Sequence, residues 1–141
     1  MNIEEMLRQQ CWIVDILPQR VPECGAERYA RVEQFYLSEP QIRVLRRRQA
    51  DILLRLNCYY EMQISSDYGE TENACPEPLA FVDLVIGCVW KKCLYIRLSS
   101  PECLIVLDGC DTYMSAYATD AELLSLLNAL AGSEGLFVWK A

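Results

Sequence analysis

Two spacings of hydrophobic residues alternate along this chain, one helical and one extended, and their order outlines the fold. The clearest helical stretch carries Ile42, Leu45, Gln49, Ile52, Leu53 and Leu56 behind Ser38-Glu-Pro-Gln41. That leader has the form of a capping box with a proline in the first turn. It predicts a helix over residues 39–56 that stops near Asn57. Thr119-Asp-Ala-Glu122 has the same capping form and opens a second helix with Leu123, Leu127 and Leu130 on its inner side, widened by Leu124 and Leu126, and with Gly132 as its end. A shorter helix is expected over residues 77–87, and a short N-terminal one from the cap Asn2 and Glu5, with Ile3, Met6 and Leu7 apolar.

Extended segments fill the remainder. Residues 11–17 are apolar at both parities, as in a strand covered on both faces, and Pro18, Pro22 and Gly25 keep the next segment a loop. Tyr29 to Leu37 is rich in aromatic and β-branched residues and reads as a second strand. Residues 58–65, with Tyr60, Met62 and Ile64 on one face, residues 93–98, with Leu94, Ile96 and Leu98 on one face, and residues 103–108 read as further strands. Asp108-Gly109 signals a tight turn that folds residues 103–108 onto 112–118 as a hairpin. Residues 135–139 form a C-terminal strand, and the polar stretch 66–78 a loop. Hairpins outnumber βαβ units. The pattern therefore predicts an α+β fold, a mostly antiparallel sheet with three main helices packed on one face, over an α/β mixed sheet. With no linker or repeat, residues 1–141 read as a single globular domain.

Composition narrows the function classes. Half of the residues are hydrophobic (52%) and 23% are charged, an ordinary globular balance. The N-terminus has no basic region of a signal peptide, and no apolar run reaches the length of a membrane span, so a cytoplasmic protein is expected. The eight cysteines then read mostly as buried free thiols. The net charge of −7 resides wholly in residues 65–141, with four basic and eleven acidic side chains; residues 1–64 carry nine of each. That balance argues against nucleic acid or an anionic membrane and permits a basic partner.

The chain has no histidine. This removes imidazole acid–base catalysis, histidine-activated nucleophiles and histidine metal sites. Among the thiols, Cys88, Cys93, Cys103 and Cys110 have spacings that could in principle form a zinc site, but none makes a close Cys-x-x-Cys pair. Asp108-Gly-Cys-Asp111 fits no calcium loop. No phosphate-binding glycine loop or nucleophile elbow is present. No metal, cofactor or catalytic residue is assigned.

Two surface features and one thiol remain. Arg43, Arg47, Arg48 and Arg55 fall on the outer side of the 39–56 helix. They read either as a surface for an acidic partner or as a solvated face held by Glu39–Arg43, Arg47–Asp51 and Asp51–Arg55 pairs. Tyr113 and Tyr117 share strand parity opposite Met114 and form a candidate interaction surface. Cys24, with Arg20 and Arg28 near it in sequence, is the candidate reactive thiol; Cys75 and Cys110 are the other loop cysteines.

The stretches Cys11-Trp-Ile-Val-Asp-Ile-Leu-Pro18 and Glu134-Gly-Leu-Phe-Val-Trp-Lys140 resemble those of an uncharacterised family of short bacterial proteins of Firmicutes. The resemblance implies a bacterial source and carries no functional residue with it. The expected function is a non-enzymatic protein-binding or regulatory module of the bacterial cytoplasm, acting on a protein partner or as a homodimer. The alternative is a cysteine-based enzyme or thiol redox sensor. Nucleic-acid binding through the arginine helix ranks last.

Overall fold

The computed structural model describes residues 1–141. Its centre is one seven-stranded sheet of order β3-β2-β4-β5-β6-β1-β7, formed by β1 (Cys11–Asp15), β2 (Met62–Ser65), β3 (Asn73–Ala74), β4 (Cys93–Leu98), β5 (Cys103–Asp108), β6 (Met114–Tyr117) and β7 (Phe137–Lys140). Every neighbouring pair is antiparallel. With helices α1 (Ile3–Met6), α2 (Ala26–Tyr36), α3 (Gln41–Leu56), α4 (Pro78–Ile86) and α5 (Ala121–Ser133), the fold is α+β.

The two faces of the sheet differ. Alternate residues Val14, Ile64, Leu94, Ile96, Ile105, Leu107, Met114 and Ala116 point into the main core, where α3, α4 and α5 cover them with Leu45, Ile52, Leu53, Phe81, Val85, Leu123 and Leu127. Burial alternates residue by residue along β4, as a pleated strand with one fully covered face requires. The opposite face has a lighter cover. Ile3 and Met6 of α1 press on Leu104 with Val106 and Tyr117 around them. The capping box holds this short helix: Glu5 N–H donates to Asn2 Oδ1 at 2.8 Å and Asn2 N–H to Glu5 Oε2 at 3.2 Å.

The segment 29–37 is not a strand: residues 29–36 are helical and Leu37 caps the helix. Helix α2 contains no buried residue, and its half-buried Tyr29, Glu33 and Tyr36 recur at helical spacing. Arg31 pairs with Glu27 at 3.0 Å one turn away, and Ala26 and Ala30 favour the helix. Of the aromatics that suggested a strand, Tyr29 and Tyr36 lie on the inner side of α2 and Phe35 is exposed. Two helix starts also shift. Ser38 is not the cap of α3: its hydroxyl turns back and donates to the Gln34 carbonyl at 2.6 Å, and Pro40 takes the cap position without a side-chain bond. For α5 the cap is Asp120, whose carboxylate accepts from Leu123 N–H at 2.8 Å. That helix passes Gly132 and stops at Gly135, whose φ of +73° suits glycine. There Leu136 N–H donates to Ala131 O and Gly135 N–H to Gly132 O, the two bonds of a Schellman motif.

One interaction joins the helical layer to the loops at the end of the sheet. Arg46 is fully buried. Its Nε donates to Cys88 O at 2.9 Å, Nη1 to Gln49 Oε1 at 2.8 Å, and Nη2 to Asp111 O at 2.9 Å, with the Asp108 and Gly109 carbonyls at 3.4 Å. Gln49 Nε2 extends the chain to Thr112 O at 3.1 Å. The Asp108–Asp111 loop is therefore wider than a two-residue turn and is wrapped around an internal cation. Gly109 is obligatory here, because a Cβ at this position would collide with the Val89 backbone carbonyl.

Two stability outcomes follow from this corner. Arg46→Met leaves the Cys88 and Asp111 carbonyls buried without a donor, and should cost about 3 kcal/mol in urea unfolding, with Arg46→Lys recovering little because an ammonium cannot span the same fork. Gly109→Ala forces the Val89 backbone away and should cost roughly 1–3 kcal/mol in the same measurement. Wild-type stability in either variant would contradict the geometry.

Candidate functional site

The lightly covered face of the sheet opens into a cleft of about 570 Å3. Strand register builds its floor. Ser115, Ile13 and Trp139 lie side by side across β6, β1 and β7; Tyr117 lies opposite Cys11, and Phe137 opposite Asp15. Tyr113, one residue before β6, continues the outward parity of Ser115 and Tyr117. The segment after β1 supplies the opposite wall with Leu17, Val21 and Pro22, and α2 closes it with Ala26 and Tyr29. A single 3-10 turn, Glu23–Gly25, leads from this wall into α2. Helix α2 thus reaches from the cleft, at Tyr29, to the main core, where Tyr36 packs.

Four aromatic side chains, Tyr29, Tyr113, Tyr117 and Trp139, line the cleft together with one buried acid, Asp15. Asp15 is only 4% exposed. Its Oδ1 accepts from Ile16 N–H at 2.7 Å, and its Oδ2 from Trp139 Nε1 at 3.3 Å. Burial raises the Asp15 pKa against the lowering effect of these two donors and of the Leu17 N–H. Every other shifted group lining the cleft moves the same way for the same reason. Burial pushes the Tyr113 phenol up to about 12, with Asp111, Tyr29 and Glu33 adding to it. It also raises Tyr29, Tyr117 and the Cys11 thiol, which sits beside Tyr117 and Ser115. At neutral pH the phenols and this thiol are protonated, so none is an activated nucleophile.

The structure brings Tyr113 and Tyr117 together on this cleft. It places Arg43, Arg47, Arg48 and Arg55 elsewhere, on α3 behind the opposite face of the sheet. Arg43 pairs with Glu39 at 3.6 Å and Arg47 with Asp51 at 3.1 Å, the solvated ladder the spacing suggests. Arg55 does not close on Asp51. It reaches Glu134 at 3.0 Å and Ser133 Oγ at 2.9 Å, because the better-buried carboxylate at the end of α5 is the stronger partner. Arg48 is exposed beside a small hollow with Tyr36 and Val44. Cys24 is exposed on the 3-10 turn next to Glu23.

Sequence reasoning passed over Asp15 and Arg46, and both left a trace. Asp15 is the only charge in the run 11–17, which is otherwise apolar at both parities. Arg46 falls on the same stripe as Ile42, Leu45, Gln49 and Leu53, not among the outer arginines. Comparison with known proteins finds no matching family model, no matching curated protein and no matching solved structure. No helix is long and apolar enough to cross a membrane.

All eight cysteines are free. Cys24, Cys58 and Cys110 are exposed; Cys75 is half-buried, and burial raises its pKa. Burial pushes the Cys88 thiol up to about 11 and Cys103 up to about 12. A thiol-reagent titration of the folded protein at neutral pH should show three fast cysteines, Cys24, Cys58 and Cys110. Rapid reaction of Cys88 or Cys103 without unfolding would contradict the burial.

Proposed function

We propose that this protein is a non-enzymatic protein-binding module of the bacterial cytoplasm, and that the cleft over β6, β1 and β7 is where its partner enters. The observation that carries this reading is the chemistry of the lining: half-buried tyrosines and a tryptophan with polar tips, around a single buried acid. Tyrosine and tryptophan give rigid contact area at low entropic cost and are enriched in interfaces. Protonated phenols, a protonated thiol and a chain without histidine leave no activated nucleophile and no imidazole base to work with it, which weighs against catalysis in the cleft. The cleft also borders β7, the last strand of the sheet, whose outer edge pairs with no other strand. An extended segment can add to such an edge and direct alternate side chains over the adjoining face.

Selection of a random peptide library on the immobilised protein tests this. Enriched peptides should bind wild type and lose about tenfold or more in affinity to Tyr113→Ala or Tyr117→Ala, each confirmed as folded. Failure to enrich any sequence, or full binding by both variants, would contradict the reading.

A further inference from the structure

Resting on that reading, we propose that the cleft receives a positively charged side chain, arginine or lysine, of the protein partner. The starting observation is a buried carboxylate without a cation. Asp15 is 4% exposed, yet no ion pair of the molecule includes it. Aspartate is almost never buried to this degree unless it is paired. A carboxylate offers about four acceptor positions. Ile16 N–H and Trp139 Nε1 use two, the second at a long 3.3 Å, and the Leu17 N–H also leans on the group, so capacity remains for one donor of a guanidinium or ammonium.

The protein cannot supply that cation itself from its interior. Arg46, its one buried cation, spends its donors on Gln49 and on backbone carbonyls. Arg20 lines the cleft, but it is exposed and makes no ion pair. Around Asp15 the other lining groups are Glu23, which is acidic, and the protonated Cys11, Tyr29, Tyr113 and Tyr117. Glu33 and Asp111 lie close enough to raise the Tyr113 pKa. Asp15, Glu23, Glu33 and Asp111 thus outnumber Arg20 and Arg28, the latter lying against Gly25 at the edge of the wall, and the potential favours a cation. The aromatic faces add to it. Trp and Tyr rings attract ammonium and guanidinium groups through their quadrupoles, most strongly where water is excluded. Together, charge complementarity at the floor and aromatic walls select a basic side chain over an acidic or purely apolar one.

The test is a two-dimensional NMR titration of the full chain with a capped alanine peptide carrying one arginine, compared with the same peptide carrying citrulline, its neutral isostere. The arginine peptide should move the Trp139 indole N–H and the Tyr113 and Tyr117 signals, and should lower the midpoint of the Asp15 carboxyl titration. The citrulline peptide should bind about tenfold more weakly or worse. Asp15→Asn should abolish the difference between the peptides, and Arg20→Gln, which removes a competing charge, should tighten the arginine peptide. Should Asp15→Asn fail to fold, the citrulline comparison and Arg20→Gln still decide. Equal binding of the two peptides overturns the cation proposal while leaving the protein-binding reading intact. Cleft shifts with free agmatine but none with the peptide overturn the partner side chain as the source. If neither peptide perturbs the cleft while library-selected peptides do, the cation proposal alone falls; if no peptide of any kind binds, both readings fall.

Discussion

The guanidinium of Arg46 holds a full positive charge with no surface exposed to solvent. Burial pulls its pKa down, and the nearby Cys88, Asp111, Asp108 and Cys110 offset the effect only in part. Arginine nonetheless stays protonated in proteins, so the charge must be met by dipoles. Here the dipoles are main-chain carbonyls from the end of α4 and from the β5–β6 loop. A backbone carbonyl can be aimed only by bending the chain that carries it, so this charge dictates the shape of both segments. It also explains why the loop approaches Val89 so closely that only glycine fits at residue 109.

The consequence reaches the cleft on the far face. Gln49, fixed by Arg46, holds the Thr112 carbonyl, and Thr112 is the residue before Tyr113. The position of Tyr113 at the rim is thus set from beneath the sheet, by a residue that never touches the cleft. Two buried charges divide the molecule between them. Arg46 is satisfied internally and serves the fold. Asp15 holds two hydrogen bonds and no countercharge, and it faces a space open to a visitor. The first burial stabilises one packed arrangement; the second leaves an electrostatic demand unmet.

Much of the architecture was legible in the pattern of apolar residues. Helix α3 and strands β4 and β5 lie where the spacing of Ile42 to Leu56, Leu94 to Leu98 and Cys103 to Leu107 puts them, because in these elements one face is fully buried and the period is enforced. Helix α2 was not legible. None of its residues is buried, so no apolar stripe marks it, and Val32, Phe35 and Tyr36 bias a reading by propensity toward a strand. The cap of α3 moved because Ser38 can bond either forward or back, and its hydroxyl takes the Gln34 carbonyl one turn earlier, at the end of α2. At the site, Tyr113 and Tyr117 could be picked out from strand parity. Asp15 and Arg46 could not be interpreted, because the sequence shows where a charge falls in a pattern but not which dipoles or rings will face it.

The clamp at Arg46 is the claim on which the placement of the loop and of Tyr113 depends. Hydrogen exchange of the arginine Nε–H, followed by NMR, tests it most directly. A guanidinium bonded on all sides in the dry interior should exchange its Nε–H only through large-scale opening, far more slowly than Arg47 on the surface of the same helix. Exchange of Arg46 at the pace of Arg47 would mean that water reaches the group, and the clamp described here would not exist.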